Sequence, residues 1–364
     1  MFASGGAAWH LTPMITRRLL IAAAPLTGCA ASTNPATPAP AAATVPPPVP
    51  VATPNQAPEI DLQTISSVPF DRFVEGVKAE GRRRGISTNI LNAAFAGVRP
   101  NQRVIQLDRR QAEGGLPWEE YRDRIMVSPT RVQNGRRNYT ENAELLRRIE
   151  ARFRVSPRVI VAIWGVETNF GGNTGGFKVV EALSTLAWEG RRASYFRNEL
   201  FAALKILDEG HIRVDRMTGS WAGAMGQPQF MPSNFDRYAV DFDGDGRRDI
   251  WDDKADALGS IANYFARSGW RHGEPWGLAV TPPPGFSLAG ADTETKRPMR
   301  DFARMGFRTE GGGALPDGPE AQVVLPNRGS GQVFLGHHNL RVIRRYNSPV
   351  NYGLAVGLLS DRVG

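Results

Sequence analysis

The sequence predicts a mainly α fold (α+β) with a small β element. Apolar residues recur at helical spacing in several separate runs, start and stop residues bracket those runs, and the period changes only near the C-terminus. Phe70, Phe73, Val74 and Val77 mark the first helix. Ser87 is placed to cap a second, which holds Ile90, Leu91 and Phe95. Thr140 precedes a third, with Leu145, Leu146, Ile149 and Phe153 on one face. Ser156-Pro157 starts another and Gly171-Gly172 stops it. Phe196, Leu200, Leu204 and Leu207 form a run ending near Gly210, and Leu258, Ile261 and Phe265 form the next. Residues 322–325 and 331–335, parted by Pro326-Asn327-Arg328-Gly329-Ser330, read as a hairpin. Pro282-Pro283-Pro284-Gly285 and Gly311-Gly312-Gly313 mark loops.

The chain has 364 residues, 41% hydrophobic and 22% charged, which excludes a mostly disordered protein. Its one cysteine excludes a disulfide framework and a thiolate-rich metal site. A net charge of +8 favours an anionic partner without choosing one. The arginines are dispersed and no nucleic-acid recognition module is evident, so nucleic acid is not expected as a partner. No Walker loop, dinucleotide fingerprint or G-x-S-x-G elbow occurs, which sets aside nucleotide enzymes and α/β hydrolases.

Residues 1–28 read as an export signal. Arg17 and Arg18 precede the apolar run 19–26, far short of the ~20 residues of a membrane span. Met14 is a second possible start, and the paired arginines leave both the general and the twin-arginine export routes open. Leu26-Thr27-Gly28-Cys29 resembles a bacterial lipobox, which would make Cys29 the lipidated first residue of the mature chain. Residues 29–58, rich in Pro and Ala and without charge or aromatics, read as an extended spacer. The folded body is then 59–364.

Within that body Glu167 stands out. At ~100° per residue it shares a helix side with Ile160, Ile163 and Trp164. An ionised carboxylate in an apolar stripe must find a partner or keep its proton, and a kept proton suits a general acid. The alternative is a frayed helix end whose Glu reaches solvent or an arginine. The nearby Glu181 and Glu189 sit in ordinary contexts, and Glu199 is expected on the polar side of its helix. The stretch 219–233 mixes glycines, amides, methionines and aromatics; it suits a groove for sugar rings and equally a glycine-rich connecting loop.

Residues 241–252 match the twelve-residue EF-hand template. Carboxylates stand at Asp241, Asp243, Asp245, Asp249 and Asp252, with Gly246 at the sixth position. Calcium is the expected ligand, in a structural role because only one such loop is visible; an acidic Asp-Gly turn without metal is the other reading. His337-His338 falls in a loop-like stretch without companion ligands and reads as surface.

Together these stretches resemble the membrane-bound lytic murein transglycosylase B family, from about Phe70 onward. The resemblance rests on Gly165-Val166-Glu167-Thr168, Gly219-Ser220-x-Ala222-Gly223-Ala224-Met225-Gly226, Gln229-Phe230-Met231-Pro232, the acidic loop, Ala262-Asn263-Tyr264-Phe265 and Arg345-Tyr346-Asn347. It implies a lysozyme-like helical catalytic domain that cleaves the MurNAc-β-1,4-GlcNAc bond of peptidoglycan and leaves 1,6-anhydro ends. It implies Glu167 as acid and then base, and Ser220, Gln229, Tyr264, Tyr346, Asn347 and, more loosely, Tyr121 as cleft residues. Gln227-Pro228 departs from the family, whose members often carry an aromatic residue and Gly there. Glycan strands, a membrane reached through lipidated Cys29, and cell-wall synthases are the implied partners, and the periplasm, at the outer membrane, is the implied location. An inert wall-binding lipoprotein, a muramidase that uses water and a calcium-responsive binding module are the competing expectations.

Overall fold

The computed structural model describes residues 66–110, 115–329 and 331–364. The signal 1–28, Cys29 and the spacer 29–58 lie outside the described residues. The helices are α1 (Phe70–Arg83), α2 (Thr88–Phe95), α3 (Gln102–Arg110), α4 (Trp118–Glu120), α5 (Pro129–Glu141), α6 (Ala143–Phe153), α7 (Pro157–Thr168), α8 (Val179–Glu189), α9 (Ala193–Asp208), α10 (Pro232–Tyr238), α11 (Lys254–Arg267), α12 (Met299–Arg304), α13 (His338–Tyr346) and α14 (Val350–Val363). A π-helical turn, Tyr121–Met126, follows α4. Strands β1 (Phe177–Lys178) and β2 (Thr218–Gly219) pair with each other. Strands β3 (Gly277–Thr281), β4 (Arg308–Thr309), β5 (Gln322–Val324) and β6 (Val333–Gly336) form an antiparallel sheet in the order β4-β3-β6-β5.

Helix α7 is the axis of the helical body. Helices α5, α6, α11 and α14 pack around it. Every residue from Val159 to Thr168 is consequently buried, not one stripe only. Gly165 permits close packing: a Cβ there would stand 2.5 Å from the Phe170 ring, which meets Trp164 edge-on at 5.6 Å. The helix ends at Thr168, before the glycines, because Asn169 and Phe170 take left-handed backbone.

Other boundaries follow their capping chemistry. Ser87 accepts the Ile90 N–H at 3.4 Å, as its position predicts. Thr140 is not a cap; it lies inside α5 and donates back to the Arg136 carbonyl at 3.0 Å. The break before α6 falls at Asn142.

The predicted hairpin strands are β5 and β6, and β3 and β4 extend them into a sheet. The pleat divides side chains between two cores. Phe334 and Val324 join the main core, whereas Val333, Leu335, Val323 and Val280 pack with Met299, Phe302 and Phe307 in a second, smaller one. Strand β6 is buried on both faces for that reason.

Candidate active site

Glu167, the penultimate residue of α7, is 5% exposed. Its Oε1 accepts a hydrogen bond of 2.6 Å from the hydroxyl of Tyr352, near the start of α14. Burial and the adjoining carboxylate hold the Tyr352 hydroxyl well above the usual tyrosine range, so it remains a donor. Tyr346 and Tyr121 contribute to the same shift. Tyr121, at the start of the π-helical turn, is itself raised by burial and by Glu167. One carboxylate therefore lies within electrostatic reach of tyrosines from two separate elements, the π-helical turn and α14. The sequence reading missed Tyr352; helical spacing from Tyr346-Asn347 shows only an ordinary aromatic.

The glycine-rich stretch is a folded loop leading into α10. Ser220 closes its first turn: its N–H donates to the Ala224 carbonyl at 2.8 Å and its Oγ accepts the Ala224 N–H at 3.0 Å. Met225 and Phe230 then pair across a β-bridge. Gln229, in left-handed backbone, directs its amide N–H groups at the carbonyls of Thr174 and Gly226, both at 3.0 Å.

Tyr264 and Tyr346 are buried, with ring centroids 4.7 Å apart and Phe230 beside both. The Tyr264 hydroxyl donates to the Arg345 carbonyl at 2.5 Å, and that of Tyr346 to the Pro228 carbonyl at 2.6 Å. Asn347 follows Tyr346, also buried. Tyr346 thus connects the aromatic cluster to the glycine-rich loop and, electrostatically, to Tyr352 beside Glu167.

Gln227 explains how loop and helix hold one position. Its side-chain carbonyl accepts from Trp164 Nε1 at 2.8 Å, and its backbone carbonyl accepts from the Thr168 hydroxyl at 3.1 Å. Its backbone N–H donates to the Ile250 carbonyl at 2.8 Å and its amide to the Trp251 carbonyl at 3.0 Å. This one buried residue, through side chain and backbone together, therefore joins Trp164 and Thr168, on either side of Glu167 in α7, to the end of the acidic loop. Gly226 makes room for this seam, since a Cβ there would stand 2.5 Å from the Ile250 carbonyl oxygen.

In the acidic loop, carboxylate oxygens of Asp241, Asp243, Asp245 and Asp256 lie within 4.8 Å of one another. Asp249 and Asp252 are not in that group. Asp249 Oδ1 accepts the N–H groups of Trp251 and Asp252, and Asp252 pairs with Arg216 at 2.6 Å. Asp256 enters from the first turn of α11, buried, accepting the Phe242 and Asp249 N–H groups at 2.7 Å. Burial, with Asp253 and Asp243 nearby, lifts its carboxyl to about 6. Four carboxylates with no nitrogen or sulfur donor fit a hard divalent cation such as calcium.

Two sequence expectations are corrected. Glu199 is 4% exposed, not solvent-facing, because Ser233 donates to it through both N–H and hydroxyl. His337 is 4% exposed, not surface, because it lies where the sheet meets α13 and its N–H donates to the Trp276 carbonyl.

The transglycosylase SLT domain model matches residues 69–361. The chain belongs to this family. It is an enzyme of the lytic transglycosylase class with the fold of that class. The membrane-bound lytic murein transglycosylase B of Escherichia coli K12 is 36% identical over 253 residues, covering 68% of this chain and 67% of the relative. Among solved structures, SltB3 of Pseudomonas aeruginosa in complex with NAG-anhNAM-pentapeptide superposes with TM-score 0.76 at 42% identity, over 80% of this chain and 78% of that one. The Escherichia coli lytic transglycosylase Slt35 in complex with calcium superposes with TM-score 0.67 at 32% identity, over 81% and 92% respectively.

Proposed function

We propose that this lytic transglycosylase cleaves the MurNAc-β-1,4-GlcNAc bond of peptidoglycan without water, with Glu167 acting twice. Protonated Glu167 gives its proton to the bridging oxygen as the bond from that oxygen to the muramoyl C1 breaks. The acetamido group of the same sugar holds the developing positive charge, which replaces the second carboxylate of ordinary retaining enzymes. The Glu167 carboxylate then takes the proton of the C6 hydroxyl, whose oxygen closes on C1 to give the 1,6-anhydro ring. The proton count returns to its start.

The observation that carries this reading is the buried Glu167, held by the Tyr352 hydroxyl at the glycine-rich loop of a chain of this family. The other acids of this region are engaged elsewhere: Glu181 accepts from Asn101 and Glu199 from Ser233. Ser220, Gln229, Tyr264, Tyr346, Asn347 and Tyr121 form the sugar cleft in this proposal. The SltB3 complex with NAG-anhNAM-pentapeptide supports a peptide-bearing glycan as the substrate class. The site of action is then the periplasm, and Cys29 is the proposed lipid anchor.

Asp241, Asp243, Asp245 and Asp256 would hold the calcium ion in this proposal. Bound there, the ion supplies charge neutralisation that keeps the loop closed, and no proton transfer depends on it. The support is the oxygen-only donor set and the calcium complex of Slt35.

Digestion of purified sacculi followed by mass spectrometry tests the reaction. Native protein should release muropeptides one water lighter than hydrolysis products, and Glu167→Gln should release none above background. Hydrated products would make the protein a muramidase. Undiminished release by Glu167→Gln would remove that residue from the mechanism.

A further inference from the structure

The function leaves His337-His338 unused, yet these residues line a cavity of about 140 Å³ between the sheet and the start of α13. Arg271, Lys296 and Arg341 bring three fixed positive charges to its walls, against the single carboxylate of Glu320. Among the described residues, neither Lys296 nor Arg341 forms an ion pair. Arg271 reaches only Glu274, at 3.4 Å on the exposed rim.

The walls are held in place from beneath. Asn339, fully buried, accepts the Arg271 N–H at 3.0 Å and donates to the carbonyls of Arg271 and Glu274. His338 bridges the Gly269 carbonyl, at 2.8 Å, and the Arg341 guanidinium, at 3.3 Å. His337 lies against the Glu320 carbonyl through Nδ1. The cavity also opens on the first turn of α13, where no side chain caps the backbone N–H groups and the helix dipole favours negative charge. Two cations without an ion pair, Lys296 and Arg341, and a third, Arg271, paired only at the rim, surround a polar cavity and describe a receptor for an anionic group.

We infer that this cavity binds a carboxylate of the stem peptide carried by the glycan substrate. Length supports the assignment. From His338 to Tyr346 the helix advances about 12 Å at 1.5 Å per residue. An extended peptide of four or five residues spans roughly 13–18 Å. A peptide leaving a sugar near Tyr346 can therefore place its distal carboxylates at the other end of α13. The inference rests on the glycan-cleaving reading for its choice of ligand, though the cavity's preference for anions does not.

The test compares peptide-bearing glycan strands with strands stripped by an amidase, using native protein and the variant Lys296→Gln/Arg341→Gln. Removal of both charges should lower kcat/KM at least tenfold on peptide-bearing strands, with the loss confined to them. Equal loss on both strands, or loss on neither, overturns the inference. Calorimetric titration of the tetrapeptide released by the amidase gives an arm independent of catalysis. Binding to native protein that the double variant loses supports the inference, even if neither strand is cleaved and the glycan reading itself fails. Binding of inorganic phosphate without the tetrapeptide, or no binding at all, overturns it. The single variant Lys296→Gln, at an exposed position, serves if the double variant does not fold, and Arg341→Lys, which keeps the charge, should retain peptide binding.

Discussion

Glu167 depends on a hydroxyl 185 residues further along the chain. A hydrogen bond to a charged group contributes about 1.5–3 kcal/mol, and each ~1.4 kcal/mol is a factor of ten. Tyr352→Phe should therefore lower kcat roughly 10- to 100-fold with little change in KM, since the ring still fills its place between α7 and α14. Steady-state release of muropeptides measures this, and an unchanged kcat would leave the bond a purely structural one. Gln227 carries a different load. Gln227→Leu leaves the Trp164 N–H and the Trp251 carbonyl without the partners they have now, at about 2–4 kcal/mol. Chemical denaturation should show that loss, together with reduced activity, because Trp164, one turn before Glu167, loses its anchor.

At the scale of elements, the helices assemble through a few polar contacts laid over an apolar core. Glu80 of α1 accepts from Arg84, just past the end of that helix, and, at 2.6 Å, from Arg197 on α9. The Arg197 bond is the main cause that holds its carboxyl below the usual range. A depressed carboxyl contributes stability that is present above its unfolded pKa, near 4.3, and lost as pH falls through the lower folded value. Glu80→Gln should thus reduce the melting temperature at pH 7, by no more than the ~1 kcal/mol of an exposed pair. The difference from native protein should close as the solution is acidified. A gap that persisted in acid would mean that the residue acts through packing instead of charge.

For the whole molecule, the proposed calcium site would couple ion binding to stability. Any ligand that binds only the folded state stabilises it by RT ln(1 + [L]/Kd), about 2.7 kcal/mol at a hundredfold excess over Kd. Calcium should raise the melting temperature of native protein and a chelator should reverse the gain. Asp256→Asn should abolish most of that gain, whereas Asp252→Asn, which alters a residue already paired with Arg216, should keep it. The opposite pattern would restore the twelve-residue template as the guide to the ligands.

The sequence by itself determined the helical class, six of the fourteen helices among the described residues, the late hairpin and Glu167 as the residue to follow. Each is written in local spacing: apolar residues three and four apart, Ser-Pro before a helix, a carboxylate among oily neighbours. The tertiary structure decided the rest. It set Tyr352 against Glu167, brought Asp256 rather than Asp252 to the acidic cluster, and made Gln227 the link between loop and helix. It also buried Glu199 and His337, which local pattern assigns to the surface. The physical reason is common to all of these. Helical periodicity depends on neighbours within a turn or two, but the partner of a buried polar group is fixed by which distant element packs against it.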